Sequence, residues 1–136
     1  MKKIVLPARL DSWEQVYEFL NENLNEMDCS KKIRMQVLVA AEEVYANIAR
    51  YAYQEQQGDG EVSVELEQSL QTGQITIVFT DSGIRYDPLR REDPDTTLSA
   101  EDRQIGGLGI YMVKQMMDDV KYRYEDGKNI LTISKN

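Results

Sequence analysis

The sequence predicts an α/β chain of the α+β kind, one domain across residues 1–136. Three observations predict it. From Ser30 onward, Ile33, Val37, Val44 and Ile48 recur at helical spacing with Leu38, Ala41 and Tyr45 beside them. Val62, Val64 and Leu66 alternate with Glu61, Ser63, Glu65 and Glu67, and Ile75, Ile77 and Phe79 alternate likewise, which is the period of half-buried strands. Near the end, Asp126-Gly127 sits between two β-prone runs and signals a tight hairpin.

In chain order, Lys3–Leu6 is short, β-prone and closed by Pro7, which predicts an edge strand. Asp11 or Ser12 is positioned to cap a helix whose stripe is Trp13, Val16, Tyr17, Leu20 and Leu24, with polar turn material from Asn25 to Ser30. The long helix then runs from Ser30 to about Tyr53, and residues 54–60 make a polar turn. Gln71-Thr72-Gly73 joins the two alternating strands, the second of which ends at Asp81-Ser82-Gly83. Residues 84–105 carry two prolines and a dense mixture of charges; a loop of that length is more often functional than decorative. Gly106-Gly107-Leu108-Gly109 opens a helix through about Asp118, with Ile110, Val113, Met116 and Met117 as its apolar positions. Val120–Tyr124 and Asn129–Ser134 close the chain as strands.

Composition narrows the chemistry. Hydrophobic residues make up 41% and charged residues 29%, as in ordinary soluble domains. No apolar run approaches the roughly 20 residues of a membrane helix, and the basic start reaches a proline after three apolar residues, so no signal peptide is read. One cysteine, Cys29, allows no internal disulfide, and the cytoplasm is the expected compartment. A formal charge of −8 argues against nonspecific nucleic-acid binding. The absence of histidine excludes a Ser-His-Asp triad, His-ligated zinc and phosphohistidine transfer within the chain, leaving mainly hard oxygen ligands that suit Mg²⁺.

Three groups of residues could carry chemistry. Glu43 and Asn47 are four apart on the long helix, so they stack about 6 Å apart along its axis, with Arg50 near the same face. An acid, an amide and a cation in one line could hold a metal-bound phosphate; the same spacing fits the solvated side of an ordinary helix. Asp81 with Gly83 at a strand end could accept a hydrogen bond from an exocyclic amine beside a flat ring, or be a common turn. The glycines at 106, 107 and 109 let backbone N–H groups approach a phosphate at a helix N-terminus, or form a flexible joint. No Gly-Lys-Ser/Thr follows, so this is not a Walker A loop. Met112, Met116 and Met117 could form a partner-binding stripe or fill the core.

Taken in order, these pieces are Glu-x-x-x-Asn on a helix, Arg three later, Asp-x-Gly at a strand end, a long charged loop, and Gly-Gly-Leu-Gly opening a helix. That order resembles the GHKL superfamily, the ATP-binding domains of gyrase, the large heat-shock chaperone, histidine kinases and MutL. Within it, the chain looks most like bacterial anti-sigma-factor serine/threonine kinases of the RsbW/SpoIIAB type. The resemblance implies a Bergerat (HATPase_c) two-layer sandwich, with a mixed, mostly antiparallel sheet and helices on one face. It implies Glu43 as general base, Asn47 as ligand of the Mg²⁺ held by ATP, and Asp81 as acceptor from the adenine amine with Gly83 beside the ring. It also implies phosphate contacts from the Gly106, Gly107, Leu108 and Gly109 turn, from Arg50 and from Arg103, and an ATP lid at about residues 87–106. Two positions depart from the pattern: Tyr51 stands where anti-sigma kinases commonly carry His, and Arg85 where a smaller residue is usual.

The superfamily supports several activities, so the fold does not choose among them. A gyrase or MutL type ATPase would need a following domain with a phosphate-sensing lysine, and a histidine kinase a His-bearing dimerisation domain; neither lies in these 136 residues. The expectation is therefore ATP- and Mg²⁺-dependent phosphorylation of a Ser or Thr on an anti-anti-sigma (STAS-type) antagonist, with sequestration of a sigma factor, by a homodimer. The alternatives are a nucleotide-gated protein-binding module without kinase activity, or a slow ATPase. No nucleic-acid or membrane partner is expected.

Overall fold

A computed structural model describes residues 1–54, 60–90 and 107–136. Five strands, β1 (Lys2–Pro7), β2 (Glu61–Gln68), β3 (Ile75–Asp81), β4 (Asp119–Glu125) and β5 (Lys128–Lys135), form one sheet in the order β1-β2-β3-β5-β4. Each neighbouring pair is antiparallel. Three helices, α1 (Trp13–Glu26), α2 (Lys31–Tyr51) and α3 (Gly107–Met116), supply the second layer. This is the two-layer α/β arrangement expected, with β1 at one edge.

The strand sequences explain why helices cover a single face. Val62, Val64 and Leu66 of β2, and Ile75, Ile77 and Phe79 of β3, are buried while their alternates are not. They meet Val16, Leu20 and Leu24 of α1, Val37, Ala40, Ala41, Val44 and Tyr45 of α2, and Val113 of α3 in one core. Each fully buried Val, Leu, Ile or Phe contributes roughly 1.5–3 kcal/mol relative to exposure. Register keeps the core in rows: Leu66, Ile77 and Ile133 align across the sheet, and so do Val64, Phe79 and Leu131. Val113 and Met117 are buried and Met112 and Met116 half-buried, so the methionines around α3 serve largely as core filling.

Local signals set most boundaries, with some shifts. Ser30 caps α2, its hydroxyl accepting from the Ile33 N–H at 3.1 Å. Neither Asp11 nor Ser12 caps α1. A 3₁₀ turn at Leu10–Ser12 leads directly into it, and Asp11 binds Arg9 instead. Helix α1 extends into the expected turn as far as Glu26, whereas α2 stops at Tyr51 and α3 at Met116. Asp126 and Gly127 adopt φ 53° and 75° between the paired residues Glu125 and Lys128, the two-residue turn that Asp-Gly favours.

Two tyrosine hydroxyls tie the layers together. Tyr53, just past α2, donates to the Glu61 carbonyl at 2.6 Å and accepts from the Ser82 N–H at 2.7 Å, clasping the start of β2 to the end of β3. Tyr45 is 1% exposed, lies 5.8 Å from the Trp13 ring centroid, and donates to the Arg9 carbonyl at 2.6 Å. Tyr45→Phe leaves that carbonyl with only the Ser12 N–H, at 3.1 Å, and is expected to cost about 0.5–1.5 kcal/mol of unfolding free energy. Urea unfolding followed by Trp13 fluorescence measures it, and a loss of only a few tenths would contradict the bond's assigned weight.

Candidate functional site

The core-facing row at one end of the sheet is not apolar. Val62, Asp81 and Asn129 occupy it in register, and both polar residues are buried, at 5% and 7% exposure. A carboxylate in phase with Ile75, Ile77 and Phe79 costs folding energy unless its oxygens are satisfied. The Asp81 Oδ1 accepts from the Gly83 N–H at 2.9 Å and from the Asn129 Nδ2 at 3.0 Å. Among the described residues nothing donates to its Oδ2. Burial raises the Asp81 pKa above the ordinary carboxylate value, and these two hydrogen bonds only partly oppose it.

Asp81 opens into a pocket between α2 and the sheet, with about 450 Å³ of space including its mouth. Val44, Ile48, Phe79 and Leu131 give it an apolar floor, while Asn47 and Tyr51 of α2 face Ile84, Tyr86 and Pro88 across it. The Tyr51 and Tyr86 ring centroids lie 6.5 Å apart. A flat, largely apolar ring with one exocyclic amine suits this lining, since the free Asp81 oxygen is its one buried acceptor carrying charge.

Further along α2, the spacing of four puts Glu43 on the Asn47 side, and α3 closes against it. A Cβ built on Gly109 would lie 2.5 Å from the Glu43 Oε2, so glycine is what lets the carboxylate sit over the first turn of α3. That turn carries unpaired backbone N–H groups and the positive end of the helix dipole. Among the described residues neither Glu43 nor Asn47 has a side-chain hydrogen bond or ion pair, so both heads are available. Gly83 is required for a different reason: a Cβ there would lie 2.1 Å from the Ala52 carbonyl oxygen, which accepts from the Ile84 N–H at 2.9 Å. Its missing side chain lets β3 close on the end of α2.

The structure thus brings Glu43, Asn47, Asp81 and Gly109 to one side of the molecule, with Gly83 supporting the pocket wall and Gly107 beginning α3. Arg50 is exposed and does not line the pocket. Leu108 lies in the first turn of α3. Arg103, Gly106 and residues 91–106 of the expected lid lie outside the described residues. Asn129, which lines the pocket and donates to Asp81, is the residue that motif reasoning overlooked. Its signal was present: a polar residue in phase with Leu131 and Ile133, which are buried. Among the described residues no group of three or more acidic, His or Cys side chains could hold a metal, and no helix is long and apolar enough to cross a membrane.

The sequence profile of the histidine kinase-like ATPase domain matches residues 6–135. The chain belongs to that family. Among curated relatives of this histidine kinase-like ATPase domain is the serine-protein kinase RsbW of Listeria monocytogenes, 29% identical over 97 residues. That match covers 68% of this chain and 60% of the relative, so the chain spans less than two thirds of that protein's length. The serine/threonine-protein kinase BtrW of Bordetella bronchiseptica is 26% identical over 107 residues, covering 79% of this chain and 73% of BtrW. Among solved structures, the RsbU and RsbW domains of a Mycobacterium tuberculosis protein superpose with a TM-score of 0.62 at 15% identity, covering all of this chain and 32% of that one. A blue-light activated histidine kinase of Erythrobacter litoralis gives 0.52 at 12% identity, over 96% and 61% of the two chains. Both structural likenesses bear on the fold.

The buried carboxylate makes stability pH-dependent in a defined direction. A group whose pKa is raised by folding holds its proton more tightly in the native state, so its contribution is full at low pH and lost as pH rises through the raised value. Asp81→Asn retains an oxygen for the Gly83 and Asn129 donors and removes the charge. The variant is expected to melt higher than the parent at neutral pH, with the gap closing below about pH 4. A parent that is the more stable of the two at pH 7 would refute the assignment.

Proposed function

We propose that this histidine kinase-like ATPase domain binds Mg²⁺-ATP and phosphorylates a Ser or Thr of an antagonist protein of the anti-anti-sigma (STAS) class, and that it sequesters a sigma factor, working in the cytoplasm as a homodimer. The observation that carries the reading is the Asp81 carboxylate: buried at the back of an apolar pocket, with one oxygen held by protein donors and the other open. An adenine amine matches that oxygen in polarity, and its ring matches the apolar and aromatic lining. The relatives named as serine or serine/threonine-protein kinases support the choice of chemistry.

The residues divide the work along α2. Asp81 accepts from the base and Tyr51 and Tyr86 flank it. Asn47, whose carboxamide has no other side-chain partner among the described residues, would be the residue that holds the metal. A lone amide beside a triphosphate is a fitting ligand set for Mg²⁺, which keeps several waters and binds through phosphate oxygens. The metal would neutralise charge on the phosphates during transfer. The N–H groups of Gly107, Leu108 and Gly109 at the start of α3 face the phosphates, with Gly106, Arg50 and Arg103 as the remaining contacts of the proposal. Glu43, over that same turn, takes the proton of the acceptor hydroxyl as its oxygen bonds to the terminal phosphorus. The bond to the bridging oxygen breaks, and ADP leaves.

Calorimetry with ATP beside a labelled phosphotransfer assay tests this. Asp81→Asn should weaken ATP about 10- to 100-fold, the worth of a hydrogen bond to a charged group. Glu43→Gln should bind ATP normally and transfer phosphate to the antagonist about 10²- to 10⁴-fold more slowly. Binding without transfer by the parent would replace the kinase with a nucleotide-gated binding module, and phosphate release without a labelled protein would leave a slow ATPase. No detectable ATP binding would end all three.

A further inference from the structure

Asn129 makes four hydrogen bonds, and their polarity fixes its orientation. Its Nδ2 donates to the Asp81 Oδ1 at 3.0 Å and to the Ile84 carbonyl at 2.8 Å. Its Oδ1 accepts from the Tyr86 N–H at 3.1 Å and from the Tyr122 hydroxyl. One backbone N–H and one backbone carbonyl lie among the partners, so a flipped amide would set like against like at both. Both donor hydrogens and both acceptor directions are used. The side chain is 7% exposed, and β5 holds its backbone opposite Asp81 in the ladder.

Those four bonds join two things that are separate in sequence. One is the carboxylate at the end of β3; the other is the segment 84–86, whose Ile84 and Tyr86 form the facing wall of the pocket. Asn129 occupies the Asp81 Oδ1, so the oxygen left for a ligand is Oδ2. It also sets the distance from that oxygen to the wall that covers the ring. Without the carboxamide, the carboxylate would be held by the Gly83 N–H alone, and the wall would lose both of its polar ties to β5.

We propose that Asn129 is a positioning residue for base recognition: it presents a single Asp81 oxygen to the exocyclic amine of the base and holds the wall segment 84–86 at the matching depth. This rests on the nucleotide reading above and goes beyond it, because it assigns amine selectivity to a residue that need not touch the nucleotide. A residue that merely supports the fold would weaken all nucleotides alike. A positioning residue governs the preference for a base that carries the amine.

The test compares ATP with purine riboside triphosphate, which lacks that amine, by calorimetry on the full chain. The parent should prefer ATP by about tenfold or more. In Asn129→Ala that preference should collapse, with ATP affinity falling to the analogue's and the analogue's own affinity little changed. An unchanged ATP-to-analogue ratio, or equal losses for both, would overturn the proposal. Asn129→Asp repeats the test at constant volume, with an oxygen facing Asp81 and the Ile84 carbonyl, and should lose the preference too. The parent offers a third readout that needs no variant. Its Asn129 side-chain amide proton signals should move further with ATP than with the analogue, and equal movements would count against the role. A parent that binds neither nucleotide would sink the nucleotide reading itself, whereas a parent that prefers ATP beside variants that still do would sink only the inference.

Discussion

A buried carboxylate is the constraint on which the rest depends. Asp81 stands where the alternation of β3 calls for another apolar residue, and its charge is out of water. Such a group persists only if the surroundings supply donors, and here they come from a neighbouring strand and from the turn that β3 itself makes. The turn needs glycine because the end of α2 presses on it, and the strand needs an amide at one register position. The geometry around the pocket follows from satisfying one oxygen of one acid while leaving the other open.

The long helix shows a second economy. One face of α2 builds the core through Val37, Val44 and Tyr45, while Asn47, Ile48 and Tyr51 turn along its edge into the pocket. Glu43 belongs to the same edge but reaches α3 instead, where glycine makes room for it. The pocket and an anion-attracting helix start are therefore held at the two ends of roughly two helical turns. Rigid placement of this kind favours chemistry that depends on positioning more than on reactive side chains, as phosphoryl transfer does.

Much of this was legible in the sequence because the signals were periodic. The strands of the central sheet alternate without interruption, and Asp-Gly fixed the last hairpin, so the element order and type follow from pattern alone. Boundaries were less legible: the cap expected at Asp11 or Ser12 gave way to a 3₁₀ turn because Asp11 pairs with Arg9. At the candidate site, helical spacing put Glu43 and Asn47 on one face and a strand end marked Asp81, but each also fitted an ordinary surface or turn, and only the family resemblance chose between the readings. Asn129 was not, since its meaning depends on facing Asp81 across a pairing of strands 48 residues apart. Gly83 was found for its place in a motif, while its physical necessity, a carbonyl on α2, is a tertiary fact.

The two hairpins of the sheet differ in what they would tolerate from an engineer. The β2–β3 connection lies at the far end of the sheet, with Leu70 fully exposed and open space where a Gly73 side chain would project, so a tag or fluorophore inserted at Leu70 leaves every strand in place. The two residues between β4 and β5 look as accessible, for nothing approaches Gly127 either. Their number, however, sets the phase in which β4 meets β5, and with it whether Tyr122 lies on the side of the sheet that carries Asn129. A graft at that turn that lengthened it by one residue would leave a soluble, folded-looking surface and turn one wall of the polar cluster to the wrong face. Loop length there is part of what shapes the pocket.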